Sequence, residues 1–308
     1  MKIAFVILAH QEPQIVGELV RVLSSQGDPV VIHYDLNSPE SEYRSLRDHL
    51  RESANVVFAD RVRCGWGEFS LVQATLHCLA RLDATKIRTD YIYLLSGSDL
   101  PIRPLAELKQ FLRDSDGGEF IESFPIRERR WLLGGDQEER FLYRFPFNKR
   151  RQRRLFRAFL LLQRRLGLKK GIPPGLELCL GSQFWCLSWP SCQAILRLCE
   201  TRPDIARFFR SAWVPDESFF QTLIRNVAPA ERIRAETLTY YQFDARGRPM
   251  EYFDTDRAAL QKTGAFFARK ISPGATELRQ FFHNLAASAP RAGAGTSISG
   301  AGDRLPAE

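Results

Sequence analysis

The run Ile3–Leu8 constrains the fold most. It is apolar on both sides of a strand's two-residue alternation, so a strand here must be covered on both faces. Three more short apolar runs follow: Val30–Tyr34, Val56–Phe58 and Tyr91–Leu95. Between them, Pro13–Ser24, Glu40–Arg51 and Ser70–Leu82 carry apolar residues at helical spacing. Pro39 and Pro104 stand where a first helical turn begins. This alternation predicts an α/β fold with a mostly parallel central sheet and helices on both faces. Ligands of such sheets bind beyond the carboxyl ends of the strands. Those ends are Ala9-His10, His33-Tyr34-Asp35 and Ser96-Gly97-Ser98-Asp99. No G-x-G-x-x-G follows the first strand, which argues against a dinucleotide fold.

The chain has 308 residues, 44% hydrophobic and 26% charged, which excludes a wholly disordered, collagen-like or membrane-embedded protein. No run approaches the ~20 apolar residues of a membrane span. The start resembles a short signal peptide, but the apolar run ends at His10-Gln11-Glu12-Pro13 with no small-residue cleavage site. A cytoplasmic protein without a spanning helix is expected. The six cysteines form no C-x-x-C, and no His lies near Cys179, Cys186, Cys192 or Cys199, which argues against zinc. They read as small buried hydrophobes in a reducing compartment.

Charge is unevenly spread. Residues 127–170 hold 15 Lys and Arg against 4 Asp and Glu, an excess of +11; the remaining 29 basic and 32 acidic residues give −3. A local basic patch points to a locally anionic partner. Within it, Leu155, Phe156, Phe159, Leu160, Leu162 and Leu166 share one broad helical face. Arg150, Arg153, Arg154, Arg157, Arg164 and Arg165 lie largely opposite. This predicts a basic amphipathic helix. Either residues 149–170 dock on an anionic membrane, peripherally at its inner face, or the leucines pack on the core. Trp131, Phe141, Tyr143, Phe145 and Phe147 interleave with Arg, but no nucleic-acid module frames them, so no nucleic-acid partner is expected.

Gly171–Gly175 then breaks the chain. A strand is predicted at Gln183–Leu187, a helix at Ser191–Glu200 behind Pro190, a helix at Asp216–Arg225 and a strand at Leu238–Phe243. Residues 286–308 are rich in Ala, Gly, Ser and Pro and read as a disordered tail. No internal repeat is present.

Several motifs stand at or near strand ends. They are His33-Tyr34-Asp35, Cys64-Gly65-Trp66-Gly67-Glu68 and Leu95-Ser96-Gly97-Ser98-Asp99-Leu100-Pro101. Gly181-Ser182-Gln183-Phe184-Trp185, Pro215-Asp216-Glu217-Ser218 and Phe266-Phe267-Ala268-Arg269-Lys270 complete the series. In order and spacing this series resembles the branching β-1,6-N-acetylglucosaminyltransferases and peptide O-xylosyltransferases, the core-2/I-branching-like glycosyltransferases. The likeness spans roughly residues 3–271 and is thin over 125–178.

The resemblance implies a GT-A-like nucleotide-sugar fold, inversion at the anomeric carbon, no cofactor and no required metal. It implies a UDP-sugar donor and a saccharide, glycolipid or peptide acceptor. Glu217 matches the family's catalytic base. Asp35 matches the residue facing uracil. Trp66 matches part of the donor pocket and Asp99 part of the nucleotide or donor wall; Gln183 and Trp185 are further substrate-binding candidates. Arg269 and Lys270 match the pair that holds the diphosphate. One domain is expected over 1–285: a nucleotide-binding half at 1–125, a basic amphipathic insertion at 126–178 and a catalytic and acceptor half at 179–285.

The residue chemistry agrees. Inverting transfer needs one base, opposite the leaving UDP, to take the acceptor's proton. Fixed cations can stabilise a departing diphosphate in place of a divalent ion. Glu217 also reads as a carboxylate at a helix N-terminus, and Asp35 and Asp99 as turn acceptors. Trp66 and Trp185 also read as half-buried core aromatics. Gln183 departs from the animal xylosyltransferases, which carry Asp there, so N-acetylglucosamine is slightly preferred over xylose. The chain lacks their signal anchor and disulfide-rich surroundings, which argues against a secretory-pathway role, and a bacterial-type member is expected. Asp114-Ser115-Asp116 reads as a turn and Asp254-Thr255-Asp256 as a helix cap, not as metal sites. The competing reading is a membrane- or nucleic-acid-binding protein on a degenerate glycosyltransferase fold.

Overall fold

The computed structural model describes residues 1–128, 138–245 and 247–288. The first half alternates β1 (Ile3–Ala9), α1 (Pro13–Ser24), β2 (Val30–Tyr34), α2 (Glu40–His49), β3 (Val56–Phe58), α3 (Ser70–Thr85) and β4 (Tyr91–Ser96). Next come β5 (Leu100–Pro101), α4 (Leu105–Asp114), β6 (Glu119–Phe120) and β7 (Phe124–Pro125). The basic segment forms α5 (Glu139–Leu142) and α6 (Arg153–Leu166). Then follow β8 (Cys179–Leu180), β9 (Cys186–Ser188), α7 (Trp189–Thr201), α8 (Pro203–Phe209), α9 (Phe219–Val227), β10 (Ile233–Arg234) and β11 (Thr239–Tyr240). The described chain closes with α10 (Arg257–Leu260), β12 (Phe267–Ala268) and α11 (Thr276–Ala286).

β1 is central and buried throughout. It pairs in parallel with β2 and with β4, setting Phe5 opposite both Val30 and Tyr93. The main sheet runs β10-β6-β9-β4-β1-β2-β3, with β9 antiparallel to both neighbours. The alternation of β1 divides the core. Ala4, Val6 and Leu8 join Val72, Leu79 and Ile195 on one side. Ile3, Phe5 and Ile7 join Val16, Leu19 and Leu108 on the other. Helices therefore cover both faces, as the apolar runs require. A small sheet, β11-β12-β5, lies beside the end of β4.

The later chain departs from expectation in three places. The strand expected from Gln183 begins only at Cys186. The helix expected from Asp216 begins at Phe219, because Val214 takes a left-handed φ of 52° and Pro215–Glu217 form a separate 3-10 turn. Leu238–Phe243 pairs only over Thr239–Tyr240. All six cysteines are free, and four are buried. Among the described residues no helix is long and apolar enough to cross a membrane. Ala286 closes α11, so the tail expected from residue 286 starts beyond that helix; residues 289–308 and Trp131 lie outside the described residues.

His33 in β2 is 1% exposed, and its Nε2 accepts the Val62 N–H at 2.9 Å. Burial, opposed by Asp35, holds its pKa down at about 4 from 6.5. The folded protein keeps this ring neutral, while the unfolded chain protonates it below 6.5. Its contribution to stability is complete above pH 6.5 and is lost as pH falls toward 4, roughly 3 kcal/mol in all. Urea unfolding at about pH 7 and about pH 4.5 should show a smaller acid loss in His33→Gln than in wild type. Equal losses would remove His33 as the cause.

Candidate active site

The site grows from the carboxyl end of β4. Gly97 must be small there: a Cβ would lie 2.9 Å from Val16 Cγ2 and 3.1 Å from Ala9 Cβ. The chain then turns into β5, which pairs antiparallel with β12. That pairing brings Arg269 against Asp99. The carboxylate is fully buried; its Oδ1 accepts the Arg269 Nε–H at 3.3 Å and its Oδ2 the Ser96 N–H at 3.0 Å. Ser96 Oγ also donates to Oδ1. Burial raises the Asp99 pKa, and Arg269 and Ser96 oppose that rise. Asp99 therefore braces Arg269 instead of forming an open donor wall. The guanidinium lies 4.0 Å over the Phe184 ring, and its Nη atoms have no hydrogen-bond partner among the described residues.

Lys270 follows directly, held by its own N–H to Met250 O and by Tyr252 N–H to its carbonyl. Burial lowers its pKa first and Arg269 second; Arg150 adds to the lowering, while Glu251 and Asp99 oppose it. Three cations thus converge. Arg150 also covers the Trp66 ring at 3.8 Å. Trp66 is 46% exposed and meets Trp213 edge-on at 5.2 Å, so it is not a core aromatic. Asn148 fixes this loop, donating to Trp66 O at 3.1 Å and to Glu68 Oε1 at 2.6 Å. Asp35 organises the neighbouring turn. Its Oδ1 accepts the N–H groups of Asn37 at 2.8 Å and Cys64 at 3.1 Å.

The other wall carries Glu217, in the 3-10 turn before α9. Its Oε2 accepts Arg140 Nη1 at 2.9 Å, and its side chain is 33% exposed. A capping carboxylate would instead contact the helix backbone. Val214 N–H donates to Gly67 O at 3.1 Å, linking this turn to the Trp66 loop. Beside Glu217, the Asp216 carboxyl is pushed up to about 7, by burial first and by Glu217 second. Gly181 N–H donates to Glu217 O at 3.0 Å. A Cβ on Gly181 would fall 1.7 Å from Glu122 O, so only glycine fits. Gln183 follows half-buried on the same loop. Trp185 corrects the sequence expectation: it is 1% exposed and packed 5.0 Å from Phe220 in the core.

With this geometry in place, residues 3–264 match the Core-2/I-Branching enzyme family. The chain belongs to that family. A mouse protein named β-1,3-galactosyl-O-glycosyl-glycoprotein β-1,6-N-acetylglucosaminyltransferase 4 is 24% identical over 90% of this chain and 59% of its own length. A human protein named as enzyme 3 of that series is 25% identical over 72% of this chain and 47% of its own. The xylosyltransferase oxt of Drosophila pseudoobscura pseudoobscura is 27% identical over 68% and 22%. The chain thus spans 59% or less of these relatives' lengths. Among solved structures, the galactosyltransferase LgtC with donor and acceptor sugar analogues covers 94% of the chain at 11% identity, with a TM-score of 0.39.

In this Core-2/I-branching chain, Arg140, Asn148 and Arg150 were not singled out as site residues by sequence. They lie among the 15 basic residues of 127–170 or beside them, where no local pattern separates a site arginine from a solvated one. Asp216 adjoins Glu217, and that adjacency was the one readable signal. The two Asp-x-Asp triplets are otherwise engaged: Asp114 accepts Gln110 Nε2, Asp254 Oδ1 accepts Leu278 N–H, and Asp256 Oδ2 accepts Phe253 N–H. Among the described residues no group of three or more His, Cys, Asp or Glu is arranged to hold a metal.

Removing one member of a buried ion pair strands the other, which costs about 3–5 kcal/mol, whereas replacing both by apolar residues is often neutral. Asp99→Ala should therefore unfold at markedly lower urea concentration. Asp99→Leu combined with Arg269→Met should recover most of that loss. Equal destabilisation by the single and double changes would show that the pair does not organise this corner.

Proposed function

We propose that the protein is an inverting glycosyltransferase of GT-A-like fold that works without metal. It moves a sugar, N-acetylglucosamine in preference to xylose, from a UDP-sugar to an acceptor hydroxyl of a saccharide, glycolipid or peptide. The observation that carries this reading is that two groups of side chains are tied to the same Trp66 loop. One holds the cations Arg269, Lys270 and Arg150; the other holds Glu217 with Arg140. The Trp66–Trp213 contact and the Gly67–Val214 hydrogen bond join them.

In this mechanism Glu217 takes the acceptor's proton as the hydroxyl oxygen attacks the anomeric carbon. The Arg140 contact occupies Oε2, and Oε1 has no hydrogen-bond partner among the described residues. The bond to UDP breaks as the new glycosidic bond forms, and negative charge collects on the departing diphosphate. Arg269 offers free Nη donors and Lys270 a compact charge for that build-up. Asp35 and Trp66 would meet the uridine and sugar portions of the donor. The preference for N-acetylglucosamine rests on neutral Gln183 and on the names of the mouse and human relatives. Six unpaired cysteines support a reducing, cytoplasmic setting.

Glu217→Gln should keep UDP binding and lower transfer by roughly 10²–10⁴-fold, the scale of a lost general base. Near-normal turnover in that variant would remove Glu217 from the mechanism. Product analysis across a UDP-sugar panel tests the donor.

Transfer should persist in EDTA. Lys270→Ala should weaken UDP binding more than uridine binding, because the lost contact is to phosphate. Activity abolished by chelator and restored by Mn²⁺ or Mg²⁺ would defeat the metal-free reading.

A further inference from the structure

Residues 140–176 hold twelve Lys and Arg and no Asp or Glu. Their helix, α6, docks on the protein by a face other than its leucine stripe. Phe156 stacks on Phe145 at 5.0 Å and meets Trp213 at 5.1 Å. Gln163 exchanges two 2.9 Å hydrogen bonds with the backbone of Arg144. Phe156 and Gln163 are the buried residues of the helix. The leucines are left outward: Leu155 is 51% exposed, Leu162 49% and Leu166 58%. At spacings of seven and four residues they form one stripe along the axis. Leu161 beside them is 61% exposed, and Leu168 beyond the helix 49%.

Arg154 and Arg165 border this stripe on the side of Leu161, about a quarter-turn round the axis, and Arg153 and Arg157 lie further round. Arg153, Arg154, Arg157 and Arg165 are exposed and make no ion pair among the described residues. One solvent-facing surface thus carries an apolar ridge and an uncompensated cationic border.

We propose that this face of α6 docks the protein on an anionic lipid bilayer, the leucines at the acyl boundary and the arginines among the headgroups. Charge selects this occupant. A second copy would set arginines against arginines, whereas an anionic interface satisfies ridge and border together. Arg150, three residues ahead of the helix, lies on Trp66, so docking holds the mouth of the site near the lipid surface. The proposal does not depend on which sugar is transferred, or on transfer at all.

Co-sedimentation with phosphatidylcholine vesicles, with and without about a third phosphatidylglycerol, tests it. Wild type should pellet with the anionic vesicles only, and less so at high salt. Leu155→Ser with Leu162→Ser and Leu166→Ser should lower partitioning at least about tenfold. Arg153→Gln with Arg154→Gln, Arg157→Gln and Arg165→Gln should lower it comparably and abolish the salt dependence. All these positions are exposed, so UDP binding should stay at the wild-type level. Binding to neither vesicle, equal binding to both, or undiminished binding by the leucine variant would overturn the proposal. So would a leucine-dependent dimer that ignores lipid.

Discussion

The buried pair Asp99–Arg269 is the contact on which the site's geometry depends. It joins the end of β4, in the middle of the main sheet, to the end of β12 in the small sheet. A fully buried carboxylate is tolerated only with charge and hydrogen-bond partners, and Asp99 takes three donors: Ser96 N–H, Ser96 Oγ–H and Arg269 Nε–H. The arrangement leaves Arg269 pinned at Nε and 4.0 Å over the Phe184 ring, with its outer nitrogens unpaired among the described residues. A cation fixed in this way needs little reordering when it meets an anion, which is the condition under which fixed charge stabilises a developing one. Asp99 thus acts as a positioning residue.

The group around Glu217 depends on a different device. Glu217 belongs to no regular helix, so its position comes from long-range ties: Val214 to Gly67, Trp213 N–H to Arg140 O, and Gly181 to the Glu217 carbonyl. Each tie reaches a different part of the chain. The basic segment is therefore more than an appendage to the fold. Arg140, Asn148 and Arg150 reach into the site from it, while α6 leaves its leucines outside.

The sheet and its first helices were legible because burial on both faces writes itself into sequence as unbroken apolar runs. β1, β2 and β4 follow that rule within one residue of the predicted ends, and the edge strand β3, only half-buried, is still found where its apolar run predicts. The docking face of α6 was not legible. Its apolar arc is wider than one contact needs, and the side chain that anchors it beside Phe156 is Gln163, a polar residue made buriable by the Arg144 backbone. Trp185 misled for the converse reason. A motif fixes a residue's place along the chain, but packing fixes which side it faces, and here that side is the core against Phe220. Asp35 and Asp99 lie at the strand ends where they were expected, yet each spends hydrogen-bonding capacity on bracing the backbone or Arg269.

Adjacent Asp216 and Glu217 show how surroundings divide labour between like groups. Asp216 Oδ1 is buried without a hydrogen-bond partner, and both burial and the neighbouring carboxylate disfavour its charge. Glu217 has solvent access and an arginine at 2.9 Å. Ionising both would place two negative charges on consecutive residues with only one cation in contact. Burial first and the neighbouring carboxylate second thus hold the proton on Asp216 up to about pH 7. In the mechanism we propose, the solvent-accessible carboxylate in contact with Arg140 is the one placed to take a proton from an incoming hydroxyl.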